Sequence, residues 1–253
     1  MLNRVTNAGG VRRIYAANGK PEEFFEFRAA ADDRPAEILI FSHIGEELFG
    51  GVSSQAFVRE LMALGDVDEI NVRINSEGGN VQEALGMYYA LVKHDAKVIV
   101  DIEGVAASAA SMIAMAGEHI RIGESAYVMV HLPHAMVIGN MNELRAAADQ
   151  LEEVSHNFAK LYADRAKRDE ASVMEMMQAE TWLRGQAAID AGFAEELIAN
   201  LAVAACVNPA LMQFQKAPEE LVKPKAEALV DVTEMRSRID GVSRYVAGLE
   251  SPG

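Results

Sequence analysis

Apolar residues recur along the middle of the chain with two different periods. In EINVRIN (69–75), Ile70, Val72 and Ile74 alternate with polar residues, the period-two pattern of a strand. Before it, SSQAFVRELMALG (53–65) steps at helical spacing, with Ser53 or Ser54 as N-cap and Gly65 as stop. AEILIFSHIG (36–45) and KVIVDIEG (97–104) read as further strands, and SEGGNVQEALGMYYALVKH (76–94) as a Gly-rich turn feeding a helix. GVAASAASMIAMAG (104–117) is the helix after the third strand, and HIRIGESAYVMVHLP (119–133) supplies two more short strands. Three successive strand-to-helix units predict α/β architecture, a mostly parallel sheet with covering helices.

A long helix is predicted next, from about Met141 to Arg168. Asn140 and Glu143 have capping-box spacing, and Leu144, Ala147, Leu151, Val154, Phe158 and Leu161 step by three and four. The segment 171–197 carries two short helical patterns around Glu180, Thr181 and Trp182. Outside this body, 36–200, the pattern weakens. Residues 1–35 read as an N-terminal extension in which FFEF (24–27) is the only strand pattern. Residues 201–253 read as a C-terminal linker and tail. QKAPEELVKPKAEA (215–228) sets two prolines among charges, and apolar positions 232, 235, 239, 242, 246 and 249 have the spacing of a short coiled-coil seam or amphipathic helix. Gly241 and Gly248 weaken that helix.

Composition narrows the function. A chain of 253 residues, 50% hydrophobic, suits one large domain with tails. Its net charge of −15 argues against a nucleic-acid grip and against a basic membrane-surface helix. Cys206 is alone, which fits a reducing cytosol, and the N-terminal stretch lacks the apolar core of a signal peptide. A cytoplasmic protein is expected. No HExxH, CxxC or GxxxxGK[ST] spacing occurs, so neither metal nor cofactor is expected.

The candidate chemistry sits in the small-residue stretch 104–117. A serine at the start of a helix, after a sharp strand end, presents its hydroxyl well, and such turns need small neighbours. Ser108 has Ala106 and Ala110 two residues to either side, whereas Ser111 has Ile113 and lies a turn deeper in the helix. Ser108 is therefore the better nucleophile candidate, against the plain alternative of a helix cap in tight packing. NSEGG (75–79) at a strand end can aim a backbone N–H at an oxyanion. His131 ends another strand, facing the crevice where helices begin, and Glu180 beside the lone Trp182 can hold an imidazole in one tautomer.

Taken in order, INSEGG, GVAASAAS, VMVHLP and ETWLRGQAAIDAGFAEEL resemble the Clp protease proteolytic subunit family, and among its branches the prohead (head maturation) proteases of tailed phages. The likeness runs from about Ala36 to Leu197. It implies a crotonase-like stack of ββα units with a long handle helix. It also implies Ser108 as nucleophile, His131 as general base and Glu180 at the place of the orienting aspartate. Backbone N–H groups of Gly78 and Ala109 would form the oxyanion hole. The resemblance further implies peptide or protein substrates, capsid or scaffold proteins for the phage branch, and a homo-oligomeric ring, commonly heptameric and stacked. The expected place of action is the host cytoplasm or the prohead.

Two departures bear on this reading: Glu77 stands where the family has proline, and Glu180 is one methylene longer than aspartate. A clear counterpart of the N-terminal pore segment is not apparent, which leaves an AAA+ unfoldase partner open. The competing readings are a housekeeping peptidase served by such an unfoldase, a crotonase-type acyl-CoA enzyme, and a non-catalytic assembly or scaffold protein on the same fold. A Ser–Lys dyad is disfavoured because no lysine occurs between Lys97 and Lys160.

Overall fold

One face of the sheet is apolar and the other is ionic, and this asymmetry organises the fold. The computed structural model describes residues 5–8, 11–15, 24–30, 34–45, 51–199, 211 and 213–222. Strands β1 (Val5–Ala8), β2 (Val11–Tyr15), β3 (Phe24–Arg28) and β4 (Ala36–Phe41) form an antiparallel meander, two strands more than the hydrophobic pattern predicts for this region. From β4 the sheet continues in parallel through β5 (Glu69–Ser76), β6 (Lys97–Ala107) and β7 (His119–Gly123). The mostly parallel sheet expected from the strand-to-helix alternation is thus present.

Strand alternation explains the two faces. Phe25, Phe27, Ile38, Ile40, Ile70, Val72, Ile74, Val98, Val100, Ile120 and Ile122 are buried together under the helices. These are α1 (Ser54–Met62), α2 (Val81–Val92) and α3 (Ala109–Ala114). Phe57 of α1 packs edge-on to Phe25 and Phe27, with ring centroids 6.1 and 5.4 Å apart. On the opposite face, Arg73 holds Glu103 through two bonds of 2.5 and 3.1 Å, and Arg121 grips Asp101 through two of 2.5 and 2.7 Å.

The site is positioned by a change of partner along β6. Its first half pairs with β7 through Ile99–Ile102, and its last residues, Val105–Ala107, pair instead with β8 (Tyr127–Val130). The change falls at Gly104, where the Asn75 side chain lies so close that a Cβ would collide with it. Asn75 Oδ1 accepts the Val105 N–H at 3.1 Å. The handover brings the ends of β6 and β8 together, and with them Ser108 and His131.

Helix α4 (Met141–Ala166) has the predicted capping box between Asn140 and Glu143. Its C-terminal half buries Phe158, Ala159, Tyr162 and Ala163, while Met141 and Leu144 near its start stay exposed. Helix α5 (Glu170–Gln178), strand β9 (Thr181–Arg184), helix α6 (Gln186–Asp190) and strand β10 (Glu196–Ile198) follow. Strand β9 pairs antiparallel with β8, and β10 pairs parallel with β7. The chain divides into two compact units, Met1–Ala204 with Phe214–Lys216, and Ala205–Gln213 with Ala217–Gly253. Within the second, α7 (Glu219–Val222) falls inside the stretch predicted to be a linker. The heptad-like positions 232–249 lie outside the described residues. No described helix is long and apolar enough to cross a membrane.

Candidate active site

Ser108 occupies a conformation that side-chain-bearing residues rarely adopt, φ 53° and ψ −124°. Holding it there costs about 1–3 kcal/mol, which the surroundings must supply. Its N–H donates to Met129 O of β8 at 2.9 Å. Its carbonyl accepts the Ser111 N–H at 3.0 Å and the Ser111 Oγ–H at 2.6 Å. Ser111 Oγ in turn lies 2.8 Å from the Tyr162 hydroxyl of α4. Burial pushes the Tyr162 phenol up to about 12, the Ser111 bond offsetting part of the shift, so it stays a neutral donor. Ser111 is fully buried and braces the turn, which separates its role from that of Ser108.

The Ser108 hydroxyl caps no helical N–H. It lies 2.7 Å from His131 Nε2 instead. His131 follows directly on β8, partly buried beside His134. Burial first, and His134 second, push its imidazole down to about 4, with Glu180 pulling the other way. The ring is therefore neutral near pH 7, the form that accepts a proton.

The turn after β5 abuts this elbow. Gly78 has φ +97°, and a Cβ there would lie 2.5 Å from Ala107 O and 2.9 Å from Ala109 N. Only glycine fits. The turn is pinned by Ser76 Oγ donating to Ser42 O at 2.7 Å and by Ile44 N–H donating to Gly78 O at 2.8 Å. Ala109 begins α3, so its N–H has no acceptor within the helix. The Gly78 N–H donates to Ser76 Oγ at 3.1 Å in this arrangement. The Glu77 carboxylate lies 3.4 Å from His43 Nδ1.

Of the residues the sequence points to, Ser108 and His131 are joined, and Gly78 and Ala109 lie side by side against them. Glu180 is near enough to act on His131 but, among the described residues, makes no hydrogen bond to it. Its carboxylate accepts from Trp182 Nε1 at 3.3 Å, from Gln215 N at 3.0 Å and from Lys216 N at 2.6 Å. The helical spacing picked out Leu161 and not Tyr162, and nothing in the sequence marked Tyr162 or Phe214–Lys216 as reaching this site. No three His, Cys, Asp or Glu side chains converge as metal ligands among the described residues.

Comparison with known proteins bears on the same segment. The chain is 24% identical over 166 residues to an ATP-dependent Clp protease proteolytic subunit of Ligilactobacillus salivarius, covering 64% of this chain and 83% of that one. It is 25% identical over 169 residues to an ATP-dependent Clp protease proteolytic subunit 2 of Treponema denticola, covering 65% and 82%. Among solved structures, a mutant form of ClpP1 from Listeria monocytogenes shares the fold, with a TM-score of 0.58 at 23% identity over 65% of this chain and 91% of that one. The family model for Clp protease matches residues 35–201, the stretch holding the Ser108 elbow, His131 and Glu180, and the chain accordingly belongs to the Clp protease family.

Proposed function

We propose that the chain is a serine endopeptidase in which Ser108 attacks a peptide carbonyl while His131 Nε2 takes its proton. The 2.7 Å contact between these groups on a strained elbow is the observation that carries the reading. The N–H groups of Ala109 and Gly78 receive the oxyanion, Gly78 after releasing Ser76 Oγ. His131 then protonates the departing amine, and water, deprotonated by the same ring, hydrolyses the acyl-enzyme. Glu180 is the acid that orients His131 once its carboxylate turns to Nδ1. A crotonase-type reaction needs no serine–imidazole pair, and a retired scaffold would have no use for a hydroxyl held on a strained elbow against an imidazole.

A fluorophosphonate probe tests this: it is expected to label the protein at Ser108, and Ser108→Ala is expected to remove the label. Label retained by that variant refutes the assignment.

The substrates in this reading are capsid or scaffold proteins of a phage head, met in the host cytoplasm or the prohead. Supporting it is the resemblance of INSEGG, GVAASAAS, VMVHLP and ETWLRGQAAIDAGFAEEL to the prohead protease branch. Truncation of a co-expressed capsid protein, dependent on Ser108, is the result expected by intact mass. The names of the relatives favour a second reading, a proteolytic subunit fed by an ATP-driven unfoldase. Ring assembly belongs to both. It is supported by the exposed apolar run after the site, where Met136 is 94% and Ile138 95% exposed beside Met141 and Leu144.

A further inference from the structure

The carboxylate assigned to His131 is held by a distant piece of the same chain. Glu180 Oε2 accepts the Gln215 N–H at 3.0 Å, and Oε1 accepts the Lys216 N–H at 2.6 Å. Two successive backbone N–H groups closing on one carboxylate make a strong, charge-assisted grip. The Lys216 ammonium donates to the carbonyl of Ala179, the residue before. Phe214, only 8% exposed, stands edge-on to His131 at 5.2 Å and to Trp182 at 5.8 Å. Three consecutive residues thus engage the acid, the carbonyl preceding it and the two flanking rings. Phe214–Lys216 groups with the protease unit, unlike the residues on either side of it.

We propose that Ala179, Glu180, Trp182 and His131 form a receptor for an aromatic–X–Lys peptide segment, filled in cis by Phe214–Lys216, and that its occupancy restrains the protease by keeping Glu180 from His131. The inference rests on the serine-peptidase reading and adds a regulator to it. In serine triads, loss of a properly orienting acid lowers turnover by roughly 10⁴, so freeing Glu180 has a large effect to reveal. Release requires only that the segment leave, by displacement or by cleavage of the chain near it.

The test compares fluorophosphonate labelling rates of the full chain with those of Phe214→Ala and of Lys216→Pro, which deletes the N–H that Glu180 Oε1 accepts. Both variants are expected to label at least about tenfold faster. Adding Glu180→Gln to Phe214→Ala is expected to cancel the gain, and an acetyl-Phe-Gln-Lys-amide peptide to slow Phe214→Ala alone. Lys216 is exposed, so Lys216→Pro keeps the test open should Phe214→Ala fail to fold. Rates at or below wild type in the folded variants, with labelling still abolished by Ser108→Ala, overturn the receptor and leave the peptidase reading standing. A gain that survives Glu180→Gln also overturns it. Label that persists in Ser108→Ala, or no label on any variant, overturns both.

Discussion

The acid limb of the reaction is expected far below the usual histidine range. Burial and the neighbouring His134 push His131 down to about 4 from an ordinary 6.5, against the pull of Glu180. Each pKa unit corresponds to about 1.4 kcal/mol. The imidazolium is thereby disfavoured by roughly 3 kcal/mol, less whatever solvent screening removes from a partly exposed ring. Between pH 6.5 and 4 the unfolded chain binds a proton at this position that the folded chain refuses. The stabilising contribution is therefore complete above pH 6.5 and is lost as pH falls toward 4. Fluorophosphonate labelling is expected to stay level from pH 7 to about 5 and to reach half its rate near pH 4. His134→Ala, which removes the second cause, is expected to raise that midpoint. Urea unfolding at pH 7 and pH 5 should show a smaller loss of stability in His131→Gln than in wild type. A labelling midpoint at or above 6.5 refutes the reasoning, because burial would then have no hold on the ring.

Two further substitutions separate positioning from packing. Tyr162→Phe removes the hydroxyl behind Ser111 and loosens the carbonyl of Ser108; about a tenfold fall in kcat with little change in KM is expected on a fluorogenic peptide, with a stability loss of about 1 kcal/mol. A change confined to KM would mean that the brace does not reach the nucleophile. Arg73→Met strands the Glu103 carboxylate, whose side chain is 1% exposed, and is expected to cost about 3 kcal/mol in urea unfolding while activity per folded molecule is preserved. A loss under about 1 kcal/mol would show that water or another cation takes the arginine's place.

Legibility followed the range of the forces involved. The alternation of Ile70, Val72 and Ile74, the Ser53 cap and the Asn140–Glu143 box are local, so their elements appear where the pattern puts them. Ser108 was preferred to Ser111 on the size of its neighbours, and the elbow's φ of 53° shows why small neighbours are needed there. Strands β1 and β2 were missed because a mixed, polar stretch carries no period of its own and takes its order from pairing with β3. The brace from Tyr162 to Ser111 spans 51 residues, and the grip on Glu180 spans 35 and 36. Neither leaves a spacing to read. In the second, the donors are backbone N–H groups, which every residue but proline carries.

Burial and then His134 set the low basicity of His131, and the diversion of Glu180 leaves that lowering with little to oppose it. A carboxylate hydrogen-bonded to Nδ1 would favour the imidazolium, whereas here both carboxylate oxygens are engaged by Trp182, Gln215 and Lys216 and act on the ring only at a distance. An imidazole near 4 accepts a proton from serine reluctantly, since transfer is easiest to a base whose pKa lies close to the working pH. The contact at 2.7 Å therefore aligns nucleophile and base without giving the base its full strength. Orientation, and the part of the basicity that a carboxylate on Nδ1 supplies, should return together when Glu180 turns to the ring, with burial and His134 still holding the imidazole down. It follows that Phe214→Ala should both speed labelling and move its acid midpoint upward, and that Glu180→Gln should undo both changes at once.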